Sequence, residues 1–552
     1  MNPNESPEAL VQLLKRYATD PASSASLVEQ LRPFRLALRS TSDLRTAYTA
    51  GDEFWPAFAR VWKVEADRLA AASSDAADAA IPAMAALAGF TLSLCMHSPH
   101  NQTAAVATVE PQLRRVLLET SSFVNLQDPK YTDMTRICCQ AMANLVTANP
   151  DLAATYFPER LRLEETDKLL QRLLASPDHG TLHAILIFIL NSIHGNSERA
   201  RLLGTSKAGA EVLDRIMIVV GTMFEDEKAD AMTQEHFTSD LFGLSFFIVQ
   251  QLVRQGAFEA AYEAHALMPG YAISPTLVTL LKFLDGHLSL SAHATSPSSL
   301  ALVPFLVRQL GHLADSLIND NSTQARGRDA ADAGTFQGVV LVLHCLCSIG
   351  LAIEQEEEVA SEVAPDQLEA SEKMVEGIES VVRLLAFAQT LMPPPTARPA
   401  PPSADDSPPP PTKDAASAPP PPTTAADSSP PPPAAPDGTA AIAQLQRTSV
   451  QYIGITSFAS PSSSTAAARQ RTQARVKAAQ DRVRVAGGLG LVLGMCQIDE
   501  RNPTMREHAL FTIRNLLKNN QENQDFVEAL KPQYRIGQNG ELMDLPPALR
   551  KS

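Results

Sequence analysis

Residues 480–530 read QDRVRVAGGLGLVLGMCQIDERNPTMREHALFTIRNLLKNNQENQDFVEAL, and two breaks divide them into three helical runs. Gly487 and Gly488 end one helical run and open a second, shorter one. Asn502 and Pro503 break the chain again, because proline has no amide hydrogen and a helix begins at it more readily than it passes through it. Three short helices separated in this way are typical of one armadillo-type repeat.

The helix that follows the Asn-Pro break, Met505 to Lys518, shows the clearest signals. Thr504 and Glu507 have the spacing of a capping box, with Asn502 as a competing N-cap. Asn519 and Asn520 are predicted left-handed terminators. The apolar residues recur with helical spacing and predict one buried face: Ala509, Ile513, Leu516 and Leu517.

The same stretch resembles the C-terminal domain of the ataxin-10 family, and a looser resemblance extends over 439–531. Where the family has a tryptophan, this chain has His508. The resemblance implies a cytoplasmic protein with a role in cytokinesis and signalling. The residues that carry it are Gln480-Asp481-Arg482-Val483-Arg484, Gly487-Gly488-Leu489, Ile498-Asp499, Asn502-Pro503, Arg506-Glu507, Ile513-Arg514-Asn515-Leu516-Leu517 and Asn523-Gln524.

Blurred copies of this repeat occur upstream. Met134–Leu145 aligns without gaps on 505–516, and 181–191 aligns in the same way. With one gap, 90–102 also aligns, which makes Leu94, Asn144 and Asn191 equivalent at separations of 50 and 47 residues. Armadillo and HEAT arrays repeat every ~40–47 residues. The sequence therefore predicts an all-α armadillo/HEAT-like helical solenoid.

Composition divides the chain into four parts. Armadillo-like helical repeats are predicted for 1–391 and the ataxin-10 domain, as the last repeats, for 439–531. Between them, 392–438 contains almost half of the 41 prolines and predicts a disordered Pro/Ala/Ser-rich insertion inside one repeat. The tail, 532–552, is expected to be loosely ordered.

Charge and cysteine usage narrow the function. The formal net charge of −15 argues against nucleic-acid binding and against anionic membrane surfaces. The six cysteines fall in apolar helical runs without CxxC spacing, which indicates free thiols in a reducing compartment. The N-terminus resembles no targeting peptide, and the most apolar run, Ala184–Leu190, is too short to span a bilayer. A soluble, cytoplasmic protein is expected, and its oligomeric state is left open.

Two segments carry charge of opposite sign. Glu354–Glu379 is strongly acidic, whereas the predicted helix over 469–485 is strongly basic. Solvated surfaces are the ordinary interpretation of both. Pairing between the two segments, or docking of a basic partner on the acidic one, remains open.

Nothing in the sequence has the pattern of a catalytic site, so a non-enzymatic protein without cofactors is predicted. His179 and His183 share a helix face but lack further zinc ligands. Some relatives carry a copper-transport name, which makes a copper-handling protein an alternative through His344, Cys345 and Cys347. Since Cys345 points away from the other two on a helix, core packing is the favoured interpretation.

The main candidates for a binding site are the asparagines that occupy the same position in the third helix of a repeat, Asn144, Asn191 and Asn515. In armadillo proteins that bind extended peptides, such side chains bond the peptide backbone. The tryptophan that precedes each of them by one turn is replaced here by Gln140, Ile187 and Phe511, which argues against the further alternative of a nuclear-transport or junctional adaptor. In the competing interpretation, the asparagines bond only the neighbouring repeat. The predicted partner-binding residues, which include an outward-facing set at the C-terminal repeat, are Asn144, Asn191, Arg506, Phe511, Arg514, Asn515 and Lys518. Protein partners are expected in the groove that the third helices would line, or on the Pro-rich loop.

Overall fold

The chain folds into helices that are grouped in two compact units. Unit 1 comprises Met1–Phe305 and Ala325–Ile349, and unit 2 comprises Leu306–Gln324 and Gly350–Ser552. The computed structural model describes residues 6–20, 24–40, 43–71, 74–161, 167–226, 235–266, 272–320, 329–359, 364–391, 438–458, 466–497, 502–530, 534–536 and 542–544. The predicted disordered insertion, 392–438, lies outside these ranges except for Gly438.

Twenty-seven α-helices occur in the described ranges. The first nine are α1 (Pro7–Thr19), α2 (Ser24–Ser40), α3 (Asp43–Thr49), α4 (Phe54–Leu69), α5 (Ser74–Cys95), α6 (Pro99–Thr108), α7 (Glu110–Thr120), α8 (Pro129–Val146) and α9 (Pro150–Leu161). The next nine are α10 (Leu169–Leu173), α11 (His179–Ile193), α12 (Ser197–Thr205), α13 (Lys207–Asp226), α14 (Glu235–Arg254), α15 (Phe258–His265), α16 (Pro275–Leu288), α17 (Ser291–Ala294) and α18 (Pro297–Leu300). The last nine are α19 (Val303–Asp320), α20 (Asp329–Val359), α21 (Pro365–Met374), α22 (Ile378–Leu391), α23 (Gly438–Thr456), α24 (Ala466–Val485), α25 (Gly488–Gly494), α26 (Met505–Leu517) and α27 (Gln521–Ala529).

In unit 1 the helices stack in rows, because each repeat buries its apolar face against its neighbours. One row, which we call the third-helix row, contains α2, α5, α8, α11 and α14, packed side by side in that order. A second row contains α1, α4 and α7, and a third contains α9, α12 and α15. The predicted armadillo/HEAT-like solenoid class is thus confirmed by a stack of repeats with neighbour-to-neighbour packing.

A recurrent turn ends the third helices. Two residues after α5, α8, α11, α14 and α26, the backbone takes a left-handed conformation, with φ between 53° and 66°. The residues are His97, Ala148, Gly195, Gly256 and Asn519. Asn144, Asn191 and Asn515 each lie four residues before such a turn, so the predicted equivalence of these three is confirmed. For α5 the same count gives Ser93 rather than Leu94, a correction of one residue.

A buried glutamine ties each of two such turns to the preceding part of the chain. In unit 1, Nε2 of Gln102 donates to the carbonyl oxygens of Asn144 and Thr147, both at 2.8 Å, and its Oε1 accepts from Nδ2 of Asn149 at 2.9 Å. In unit 2, Gln480 bonds Asn515, Lys518 and Asn520 in the same pattern at 2.8, 3.0 and 3.1 Å. The side chains therefore satisfy carbonyl groups that the helix end leaves open.

Unit 2 repeats the same packing. α22 packs on α23 and α25, and α23 packs on α26, while α24 lies against α21 and α27. The helices α21–α23 and α24–α26 therefore form two successive three-helix repeats. Leu391 and Gly438 belong to α22 and α23, so the proline-rich segment joins the second and third helices of one repeat.

The acidic and basic segments of unit 2 pair with each other. Arg471 on α24 contacts Glu372 on α21 at 2.9 Å, and Arg482 contacts Glu379 on α22 at 3.4 Å. All four side chains are well exposed, and such pairs contribute ~0–1 kcal/mol each. These contacts answer the open question of pairing for part of the acidic segment.

The break at residues 502–504 differs from the prediction. Thr504 stands at the N-cap position of α26, but its side chain makes no capping hydrogen bond. It accepts instead from Nη1 of Arg447 at 3.3 Å, and Asn502 donates to the carbonyl oxygen of Ala443 at 3.0 Å. The predicted capping box of Thr504 and Glu507 is therefore wrong, and Asn502 is not the N-cap of α26. The side chains of Thr504 and Asn502 form hydrogen bonds with α23 instead. Asn520 is the N-cap of α27 rather than a terminator.

The tail contains regular structure where loose order was predicted. Strands β1 (Tyr534–Ile536) and β2 (Leu542–Asp544) pair antiparallel, with Arg535 opposite Met543. The remaining residues of 532–552 lie outside the described ranges.

Among the residues that the structure describes, two helical stretches have the length and composition that a membrane span requires. They are Asp75–Cys95 and Ala333–Glu356, and 67% and 72% of their most apolar windows are buried within the protein. The sequence prediction based on Ala184–Leu190 had missed both. Mostly buried core helices have the same composition as membrane spans, and this burial is what a helix packed inside a protein shows.

Gly204 tests the close packing of α12 against α15. A Cβ at this position would lie 2.6 Å from Cβ of Ala261, whereas a Cβ at Gly221 in α13 would meet no atom within 4 Å. We expect Gly204→Ala to destabilise unit 1 by ~1–3 kcal/mol through overpacking. Gly221→Ala should stabilise it by ~0.5–1 kcal/mol, since alanine favours a helix interior. Urea denaturation followed by circular dichroism measures both, and equal effects would contradict the packing argument.

Candidate protein-binding surface

The third-helix row of unit 1 carries two of the predicted binding residues on its surface. Asn144 on α8 and Asn191 on α11 are half-exposed. Nδ2 of Asn144 donates to the carbonyl oxygen of Leu92 on α5 at 3.2 Å. Nδ2 of Asn191 donates to Oγ1 of Thr147, just beyond α8, at 2.9 Å. Each amide therefore bonds the neighbouring repeat through its donor.

The acceptor sides of the same amides are open. Neither Oδ1 atom accepts a hydrogen bond from any residue that the structure describes. An amide held by its donor in this way presents a fixed carbonyl oxygen to solvent, where the N–H of an extended peptide can donate to it. The inter-repeat bond and a binding role are consequently compatible, and partner binding by Asn144 and Asn191 stays a prediction.

One turn before the asparagines, the side chains differ in exposure. Gln140 is exposed on α8, whereas Ile187 on α11 is half-buried. Neither offers the broad aromatic face on which an extended peptide packs in a tryptophan ladder.

A surface cleft lies at the N-terminal end of the third-helix row. It has a volume of about 320 Å³ and is formed by α2, α3, α5 and α8. Its described lining combines two arginines, Arg35 and Arg45, with apolar and small polar groups, and no carboxylate belongs to that set. The described lining residues are Arg35, Leu38, Arg45, Gly89, Leu92, Ser93, Met96, Ile137 and Gln140.

Sequence reasoning missed this cleft. Arg35 and Arg45 lie on different helices, in a region without a recognisable repeat signature, and only folding brings them to one site. The available signal was indirect: Gly89 on α5 is the point at which the Arg35 side chain crosses, since a Cβ there would lie 3.1 Å from Nη1.

In unit 2, the predicted partner-binding residues differ in their exposure to solvent. Asn515 is 3% exposed, and its Nδ2 donates to the carbonyl oxygen of Gly454 at 3.1 Å. The prediction that Asn515 faces outward is therefore wrong, because the side chain is buried between α26 and α23, and its contact with a partner stays a prediction. Arg506, Phe511, Arg514 and Lys518 are exposed, and a binding role for these four stays a prediction.

Phe511 and His508 line the exposed side of α26. The Phe511 ring stacks on Phe458 with centroids 6.2 Å apart, although 44% of Phe511 remains exposed. His508 is half-buried, and Nε2 lies 3.5 Å from Nε2 of Gln451 on α23. Burial, aided by the charge of Arg447, lowers the pKa of His508 below its usual value, so the imidazole is neutral at pH 7.

The candidate copper ligands, His344, Cys345 and Cys347, take part in packing contacts within the protein. Cys345 and Cys347 on α20 are buried, and burial raises the pKa of Cys347 to about 12 and that of Cys345 well above its usual range. Nδ1 of His344 lies 3.9 Å from Asp285. Within the described ranges, no group of three His, Cys, Asp or Glu side chains is close enough together to hold a metal ion.

Comparison with known proteins identifies the C-terminal segment. Residues 473–546 match the family model described as the spinocerebellar ataxia type 10 protein domain. The ataxin-10 homolog of Dictyostelium discoideum is 42% identical over 66 residues, and that of Saccharomyces cerevisiae is 41% identical over 54. Ataxin-10 of Xenopus tropicalis is 39% identical over 54 residues. The predicted resemblance to the ataxin-10 family is confirmed.

The similarity to these relatives spans a small part of each chain. It covers 10–12% of this chain and 10–11% of these relatives. Among solved structures, SYS-1 aligns over 94% of this chain and all of its own length, at 10% identity and a TM-score of 0.37. The SYS-1/POP-1 complex aligns with a TM-score of 0.35, also at 10% identity.

Proposed function

We propose that the protein is a non-enzymatic scaffold that binds partner proteins as extended segments along the third-helix row of unit 1. The observation that carries this proposal is the pair of half-exposed asparagines, Asn144 and Asn191, which are fixed through Nδ2 and open at Oδ1. An extended segment has backbone N–H groups that need hydrogen-bond acceptors at intervals along a rigid surface. The asparagine side chains of successive third helices supply such acceptors.

The resemblance of residues 473–546 to ataxin-10 supports a proposal for the cellular location and process in which the scaffold acts. We propose a cytoplasmic scaffold that acts in cytokinesis and signalling. Nuclei per cell, counted after depletion and after rescue with the full chain, test that part.

The two asparagines separate binding from stability. We expect the double variant Asn144→Ala, Asn191→Ala to lose most partner proteins that proximity labelling in cells recovers with the unaltered chain. It should also lose ~1–2 kcal/mol of stability, because two inter-repeat hydrogen bonds disappear. Labelling and a urea denaturation curve of the purified variant are the two measurements.

Thr147→Val is the matched control. It removes the hydroxyl that accepts from Asn191 but leaves both amides in place. The control should lose stability and keep most of its partners, because both Oδ1 acceptors remain and Asn144 stays fixed on Leu92. If the double variant also keeps its partners, the asparagines serve only to join the repeats, and the proposed surface is wrong.

A further inference from the structure

The cleft at the N-terminal end of the third-helix row holds two guanidinium groups without a counter-charge. Arg35 is half-buried and makes no hydrogen bond or ion pair with any described residue. Arg45 is also half-buried; its Nη1 donates to the carbonyl oxygen of Met96 at 2.8 Å and its Nη2 approaches Sδ of Met96 at 3.5 Å. Nε of Arg45 is buried and has no hydrogen-bond partner. Neither arginine therefore meets a carboxylate.

Another arginine in the third-helix row shows how this protein neutralises such a charge. Arg136 on α8 crosses Gly180 of α11 closely, much as Arg35 crosses Gly89 of α5. Both oxygens of Asp178 accept from Arg136, at 3.0 and 2.7 Å. This is the two-point geometry that a guanidinium prefers. Arg35 has the same kind of crossing but lacks the acid.

The charge of the cleft contrasts with that of the chain. The formal net charge is −15, yet the cleft has two cations and no carboxylate in its lining. Two like charges that line one cleft repel each other, and an anion bound there would offset that repulsion. Beside the arginines, Leu92, Met96 and Ile137 supply an apolar wall.

We propose that this cleft binds an acidic side chain of an extended partner protein, with an adjacent apolar side chain against Leu92, Met96 and Ile137. The proposal rests on the proposed function and gives the partner its chemical class: a segment that carries Glu or Asp next to a large apolar residue. Arg35 supplies two donors to the carboxylate, and Arg45, held by Met96, supplies a second positive charge in the same cleft. Gln140, exposed at the edge of the cleft one turn before Asn144, lies where the segment continues along the row.

The test uses the full chain and three libraries of short labelled peptides. The libraries share randomised flanks and differ only in a fixed central pair, which is Glu-Leu, Gln-Leu or Lys-Leu. We expect the immobilised chain to retain Glu-Leu about tenfold more tightly than Gln-Leu, the change that one charge-assisted contact brings. Retention of Lys-Leu should be the weakest, and salt should reduce the Glu-Leu preference.

Arg35→Glu is the decisive variant, because Arg35 makes no hydrogen bond or ion pair with the described residues that the change would break. It should abolish the preference for Glu-Leu, whereas Arg60→Glu, an equal charge change at an exposed position of α4, should retain it. A Glu-Leu preference that survives Arg35→Glu would overturn the inference. So would equal retention of Glu-Leu and Gln-Leu; if that retention still depends on Asn144 and Asn191, the proposed function stands alone. Retention of none of the libraries would overturn both.

Discussion

Replacing Glu65 with alanine is expected to destabilise the N-terminal repeats of unit 1 by roughly 3–5 kcal/mol, because it removes a buried carboxylate and leaves its three hydrogen-bond donors without that acceptor. Glu65 on α4 is fully buried. Its Oε1 accepts from the Tyr17 hydroxyl at 2.7 Å and from Nη1 of Arg68 at 2.8 Å, and its Oε2 accepts from the Ser24 hydroxyl at 2.9 Å. The carboxylate thereby joins α1, α2 and α4.

The protonation of Tyr17 makes this network robust near neutral pH. Burial, with the contribution of the Glu65 carboxylate, raises the pKa of Tyr17 to about 12. The hydroxyl therefore remains a donor through neutral and mildly alkaline conditions. Without the carboxylate, the Arg68 guanidinium loses its 2.8 Å contact with a charged partner and keeps its hydrogen bonds to the hydroxyls of Tyr17 and Ser24.

Two buried tryptophans report on the same region. Trp55 and Trp62 both lie on α4, so their fluorescence during urea denaturation follows the unfolding of these repeats. Asp67→Ala is the control, since Asp67 is exposed on the same helix and pairs with Arg115 at the surface. That change should cost at most ~1 kcal/mol. A Glu65→Ala effect as small as the Asp67→Ala effect would show that the buried network contributes little.

Sequence reasoning succeeded where the signal is local. The terminator at Asn519 was predicted because asparagine tolerates the left-handed region, and its φ is 55°. Ala148 adopts the same conformation, with φ of 56°, but alanine carries no such preference. At that position the packing of successive repeats imposes the turn, and the residue type does not predict it.

Burial was harder to predict than equivalence. Spacing alone placed Asn144, Asn191 and Asn515 at one position of the repeat, and the turns agree. Spacing could not show that Asn515 is buried, because its surroundings come from α23, which follows the long proline-rich segment. The cleft arginines show the same limit from the other side: two helices had to meet before Arg35 and Arg45 formed a site.

The second large effect on stability is expected at Gln102 and Gln480, the two glutamines that make the same hydrogen-bond pattern. Replacing Gln102 with methionine should cost roughly 2–4 kcal/mol, because it keeps the volume but removes both donors and the acceptor from a buried site. The carbonyl oxygens of Asn144 and Thr147 and Nδ2 of Asn149 would each lose a partner. Gln480→Met should have a similar but smaller effect, since Nδ2 of Asn520 keeps a bond of 3.0 Å to Asp481.

A glutamate at either position separates hydrogen bonding from volume. Gln102→Glu keeps the acceptor for Asn149 but turns a carboxylate oxygen toward two carbonyl oxygens, so it should destabilise more than Gln102→Met at pH 7. The difference should shrink as the pH falls toward the carboxyl pKa, where protonation restores one donor. Gln140→Met, on the exposed side of α8, is the control and should change stability by less than ~0.5 kcal/mol. If Gln102→Met were equally mild, the repeats would be held by their apolar faces alone, and the recurrence of the glutamine pattern in both units would need another cause.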